Sequence, residues 1–317
     1  MGDFHCPVGA PVFQGMGCIE CRLCQARTKA EVAAATEIVG AYIRSTAGER
    51  LEGKKIRKIA VCGKGGSGKS TVAALLANSL VTLGYRPLLI DTDDSNDGTA
   101  SKIGIDDLPS PLMEGLPRFS PDGEGDMTWL AKDPLAIEEI PRRFTVEKDG
   151  ILFMTIGKIE NPLQGCSCNF GELTKTLMLN LDPGERNIVV ADQDAGVESF
   201  GRGVERGCDT VLITIEPSRD SLLLAEKLKR LSEGLGIRRI RVVMNKVRSK
   251  KEFKYLRGYL AERDIRWIGC LYEDDDVAMA NLMGERLSTA GKMQHEMDRI
   301  ATFLLDEAEM GHLNLPI

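Results

Sequence analysis

One octapeptide constrains this chain more than any other feature. Gly63-Lys64-Gly65-Gly66-Ser67-Gly68-Lys69-Ser70 fits the pattern G-x-x-x-x-G-K-[ST]. The apolar run Ile59–Cys62 precedes it, and the helix-patterned stretch Lys69–Leu83 follows it. Such a loop belongs between the carboxyl end of a strand and the amino end of a helix. Its glycines let backbone N–H groups wrap phosphates without Cβ clashes, and the helix terminus adds a positive dipole. Lys69 is placed to reach the β- and γ-phosphates, and the Ser70 hydroxyl to ligate Mg²⁺. Gly63, Gly65, Gly66, Ser67, Gly68, Lys69, Ser70 and Thr71 are therefore predicted to bind ATP with Mg²⁺.

The rest of the chain agrees with the architecture this loop demands. Pro87–Ile90, Ile151–Ile156, Ile188–Ala191, Thr210–Ile215, Arg241–Met244 and Arg266–Leu271 read as short buried strands. Lys69–Leu83, Gly171–Leu181, Ser218–Leu235 and Thr289–Glu309 read as helices. Strands of four to six residues alternating with longer helices predict an α/β, doubly wound, mostly parallel sheet. Gly98–Glu147, rich in Pro and Gly, reads as an irregular insertion of surface loops. Two domains are expected: a Cys-rich extension over 1–55 with one helix (Thr28–Ile43), and the phosphate-binding domain over 56–317.

Composition narrows the function. A net charge of −6 and only 5% aromatic residues disfavour a nucleic-acid partner, which needs a basic face and stacking platforms. No apolar run approaches the roughly 20 residues that span a bilayer, and no signal segment is visible, so a cytoplasmic location with no membrane partner is expected. In that compartment clustered cysteines more often hold metal than form disulfides. Cys62, Cys208 and Cys270 stand alone in or beside strand-like runs and read as small buried hydrophobes. The other six are paired or clustered.

Two acidic strand ends complete the predicted phosphate site, because ligands of open α/β sheets sit at the carboxyl ends of strands. Asp91 and Asp93 follow Leu88-Leu89-Ile90. Asp192 follows Ile188-Val189-Val190-Ala191 and is expected to hold a water of the Mg²⁺ ion. Lys64, a second lysine early in the loop, resembles the mark of the deviant Walker A ATPases, which include the nitrogenase iron protein and the cell-division and partition ATPases. The resemblance implies a homodimer in which Lys64 touches the partner's nucleotide, with Asp93 orienting the attacking water. It also implies that Asp192-Gln193-Asp194-Ala195-Gly196 moves with the γ-phosphate and that Asn245 binds adenine.

Gly165-Cys166-Ser167-Cys168-Asn169 separates the candidates within that group. Two thiolates one residue apart leave a tetrahedral ion half-coordinated, but two copies across a two-fold axis supply four sulfurs, suiting Zn²⁺, Ni²⁺ or an Fe–S cluster. The order KGGSGKS, DTDD, GCSCN, VVADQDAGVESFGRG, IEPSRDS and VMNKV over about 56–306 resembles the CooC-like carbon monoxide dehydrogenase maturation ATPases. That resemblance implies a nickel-inserting metallochaperone whose client is a metalloenzyme similar to CO dehydrogenase. The extension adds Cys18-x2-Cys21-x2-Cys24 with Cys6 upstream, a spacing that suits a [4Fe–4S] cluster, with Zn²⁺ as the rival. A cluster there keeps open an ATP-gated reductase similar to the nitrogenase iron protein.

Overall fold

The computed structural model describes residues 56–93, 98–117, 119–120, 125–157 and 168–310, with side chains over 170–307 of the last stretch. Ile56, the first described residue, leads into β1 (Lys58–Gly63), followed by α1 (Lys69–Thr82) and β2 (Arg86–Asp91). After α2 (Gly98–Lys102), β3 (Leu135–Ala136) and β4 (Val146–Lys148) come β5 (Ile151–Thr155), α3 (Cys168–Asn180) and β6 (Leu181–Asp182). Then follow β7 (Asn187–Asp192), α4 (Glu198–Arg202), β8 (Thr210–Ile215), α5 (Arg219–Gly234) and β9 (Arg239–Val247). The domain ends with α6 (Lys250–Ala261), β10 (Trp267–Tyr272), α7 (Asp275–Met283) and α8 (Lys292–Met310).

Eight strands form one sheet in the order β10-β9-β8-β1-β7-β2-β5-β4, parallel throughout except where β4 pairs antiparallel to β5 at the edge. β1 lies centrally, between β7 and β8. This is the doubly wound sheet the alternation of short strands and helices predicts. Its central strands are apolar on both faces because helices cover both. Ala60 and Cys62 of β1 face the layer that contains α3, α5 and α6. Ile59 and Val61 face α1 and α8. A run of β-branched and small residues without polar alternation is what a doubly covered strand requires.

The structure corrects the reading of 98–147 as surface loops. Leu112, Trp129, Leu135, Ile137, Ile140 and Phe144 are buried in the α3-side core. The stretch is built of short 3-10 turns such as Leu112–Gly115 and Thr128–Ala131. Their apolar residues carry neither helical nor strand period, so a pattern reading leaves them as loop. α6 and α7 also escaped the sequence reading. α7 has no buried residue at all, which removes the amphipathic signal. α6 does carry a signal: Ser249 caps it by accepting from the Glu252 N–H, the start of a capping box. Cys62, Cys208 and Cys270 are buried free thiols, as expected. The predicted helix over 28–43 and Cys6, Cys18, Cys21, Cys24 and Cys166 lie outside the described residues; Cys168 opens α3.

Candidate nucleotide site

The carboxyl end of β1 meets the amino end of α1 in a loop that only these glycines fit. A Cβ on Gly63 would lie 2.4 Å from the Thr214 carbonyl oxygen of the neighbouring strand. Gly66 and Gly68 take φ of 80° and 92°, left-handed conformations that L side chains rarely adopt. Gly68 is the residue before α1 and supplies no side-chain cap, and the first turn holds no acidic residue. The first N–H groups of α1 thus have no side-chain acceptor, which is what an anion-binding helix terminus needs. Lys69 opens the helix and is buried, 7% exposed. An ammonium held this far from water has to be matched by charge brought to it.

Asp192 and Asp91 stand side by side at the ends of β7 and β2. One oxygen of Asp192 accepts from the Thr99 hydroxyl at 2.7 Å, and the carboxylate also accepts from Ser70. Burial pushes the Asp192 carboxyl above the ordinary range, opposed by those two hydroxyls and by the charge of Lys69. Its other oxygen, Oδ1, is buried with no hydrogen-bond partner. Ser67 Oγ, Gln193 Nε2, Thr214 Oγ1 and Asn245 Oδ1 are likewise buried and unpartnered around the loop. Buried polar atoms are rarely left unpaired in a native fold, and these five lie around one cradle, so the residues fit a nucleotide with Mg²⁺. Asp93 follows on the same strand end, its N–H donating to Asp91 Oδ1 at 3.1 Å.

The structure brings Asn245 into the site and shows how it is held. From the buried end of β9 its amide donates to the Ser67 carbonyl at 2.8 Å. A Cβ on Gly68 would sit 2.2 Å from that amide nitrogen. Thr71 follows Ser70 in the first turn of α1 and is buried, its hydroxyl accepting from Asn281 of α7 at 3.5 Å. Lys64 reaches Glu216, at the end of β8, at 3.1 Å in its own subunit.

Several site residues were missed in the sequence. Thr99 holds Asp192. Lys246, in the left-handed region at φ 56°, donates to the Gly66 carbonyl at 2.6 Å. Thr92 donates to the Asp192 carbonyl at 2.8 Å. No quoted motif contains Thr99, while Thr92 and Lys246 lie inside DTDD and VMNKV, beside Asp93 and Asn245.

Behind the segment after Asp192 lies a buried carboxyl that the phosphate chemistry does not use. Glu205, fully buried, accepts from Ser199 at 2.5 Å through one oxygen, while the other has no partner. Burial raises it to about 7, against the hydrogen bond from Ser199. A folded-state acid this weak favours the neutral form. Its contribution to stability is therefore complete below pH 4.5, falls as pH rises, and is gone above about 7. Urea denaturation should show up to about 3 kcal/mol lost across that window. Glu205→Gln, which cannot ionise, should remove that slope. Parallel pH profiles for the two proteins would mean that Glu205 does not titrate as stated.

A phosphate loop, a buried acid at each of two adjacent strand ends and a doubly wound parallel sheet define a P-loop ATPase. The chain belongs to the CobQ/CobB/MinD/ParA nucleotide-binding domain family, which matches residues 58–287. It is 33% identical over 238 residues to an uncharacterized ATP-binding protein of Methanocaldococcus jannaschii, covering 73% of this chain and 94% of that protein. It is also 33% identical over 235 residues to the carbon monoxide dehydrogenase accessory protein CooC of Rhodospirillum rubrum, covering 72% of this chain and 88% of CooC. Among solved structures, the septum site-determining protein MinD from Pyrococcus horikoshii, complexed with Mg-ADP, superposes with a TM-score of 0.61 at 16% identity. That match covers 81% of this chain and 99% of MinD. Among the described residues no helix is long and apolar enough to cross a membrane.

Proposed function

We propose that this ATPase is a cytoplasmic metallochaperone that works as a homodimer and inserts nickel, or a related metal, into a metalloenzyme such as carbon monoxide dehydrogenase. The observation that carries the reading is the 33% identity to CooC over 235 residues, in a chain that also holds Cys166 and Cys168. In this reading the loop amides and Lys69 hold the β- and γ-phosphates. Ser70 ligates Mg²⁺, and Asp192 orients a water of that ion. When bound, Mg²⁺ would supply charge stabilisation during phosphoryl transfer, with Ser70 and Asp192 as the residues that would hold it. Asp93 orients the attacking water, and Lys64 approaches the nucleotide of the other subunit. Asn245, whose Oδ1 is unpartnered, accepts from the adenine amino group. The metal carried to the client is cargo, held by the Cys166/Cys168 pairs of two subunits.

Among the described residues no group of three or more His, Cys, Asp or Glu side chains is placed to hold a metal. The reading puts the cargo on Cys166 and Cys168. A second reading rests on Cys18-x2-Cys21-x2-Cys24 with Cys6: an ATP-gated iron–sulfur reductase acting on a metalloenzyme or corrinoid protein. Anaerobic metal and acid-labile sulfide analysis, with UV–visible and EPR spectra, separates the two. Cys166→Ala with Cys168→Ala should abolish bound nickel or zinc, leave any iron unchanged and spare part of the ATPase activity. Unchanged metal content would sink the interface site. An iron–sulfur signal that responds to ATP, whether it survives the double substitution or disappears with it, would establish the reductase instead.

A further inference from the structure

The segment that follows Asp192 touches the phosphate loop at one end and lies along α3 at the other. At the loop, the Gly196 N–H donates to the Gly63 carbonyl at 3.0 Å, and Gln193 N–H donates to the Val61 carbonyl at 3.0 Å. Ala195 lies against Gly65, 3.6 Å from where a Cβ would stand. Any rearrangement of the loop around phosphates is therefore felt by 193–196 through backbone contacts.

From there the connection to α3 is short. Asp194 pairs with Arg202 of α4 at 3.6 Å, and Arg202 also pairs with Glu198 at 3.4 Å. The Arg202 stem lies flat on Gly171 in the first turn of α3. A Cβ on Gly171 would come within 2.3 Å of its Cδ, 3.1 Å of Cγ and 3.2 Å of Cβ. Further along, Gly203 faces Lys175, and a Cβ on Gly207 would lie 2.3 Å from the Met178 carbonyl oxygen. Residues 171, 175 and 178 fall on one face of a helix. Two of these contacts exist only because a glycine removes the side chain that would hold the elements apart. Packing this close leaves little room to absorb a displacement.

We propose that the Asp194–Arg202 pair, seated on Gly171, passes the nucleotide state of the phosphate site to the first turn of α3, the helix that begins at Cys168. Arg202 is a positioning residue here: it acts on α3 and touches neither nucleotide nor metal. The inference deepens the metallochaperone reading and rests on it only for the purpose of the coupling, since the coupling itself is measurable without metal.

The test is amide hydrogen exchange over 170–180 in the full chain, with Mg-ADP and with a non-hydrolysable ATP analogue. The native protein should show a difference in protection of about threefold or more between the two nucleotides. Arg202→Ala and Asp194→Asn should each erase that difference, while the nucleotide affinity of Arg202→Ala, measured by titration calorimetry, stays within about threefold. Gly171→Ala should do the same by lifting Arg202 off the helix, and Arg202→Lys should restore the difference in part. A merely structural role would lower protection equally with both nucleotides. Absence of any nucleotide difference in the native protein, or its survival in Arg202→Ala, would overturn the proposal. Loss of metal in the Cys166/Cys168 variant leaves this result untouched, so the two readings fail separately.

Discussion

Replacing Lys69 by alanine should lower ATP turnover by about 10²–10³-fold, the usual cost of removing one preorganised group that stabilises developing charge. Two effects add in the same direction. The ammonium is buried at the first residue of α1, so its attraction for phosphate is weakly screened. It is also one of the groups that holds down the Asp192 carboxyl, which burial drives up. Without Lys69 one of the groups that opposes that rise is gone. Steady-state phosphate release and calorimetric titration with Mg-ATP check both consequences. Turnover at the native rate in Lys69→Ala would overturn the assignment of this loop.

The contrast between Lys69 and Thr99 shows how far this site could be read from sequence. Everything in the loop is contiguous, and its glycines, lysine and serine each answer to a local requirement of phosphate binding. Asp192 was legible for a related reason: it ends an apolar run, and the end of a buried parallel strand is where a ligand sits, whereas Asn245 was pointed out only by the family resemblance. Thr99 has no such marker. It meets Asp192 across 93 residues of chain, through a fold rather than a pattern. The same is true of Glu216, which finds Lys64 across 152 residues, and of Arg202 on Gly171. Glycines of this last kind are visible in a sequence only as glycines; the helix they allow to approach is not. The core under 98–147 was illegible for a different reason, since short 3-10 turns bury apolar residues without a repeating period.

Substituting Lys64 tests the dimer more sharply than any size measurement. In the structure its ammonium is held by Glu216 of the same subunit at 3.1 Å and is 37% exposed. That position lies outside the phosphate cradle proposed for its own subunit, which consists of the loop amides, Lys69 and Ser70. If Lys64 acts on the nucleotide of the other subunit, Lys64→Ala should leave Mg-ATP binding near native. Turnover should fall by about 10³-fold, as expected for a cation supplied in trans to a transferring phosphoryl group. The decisive arm mixes this variant with Lys69→Ala, each inactive alone. In a mixed dimer the Lys64→Ala subunit keeps its own Lys69 and receives Lys64 from the other subunit, completing one of the two sites. Random pairing of equal amounts makes half the dimers mixed, so roughly a quarter of native activity should return. A mixture as inactive as its components would mean that Lys64 serves its own subunit, and the face-to-face dimer would fall with it.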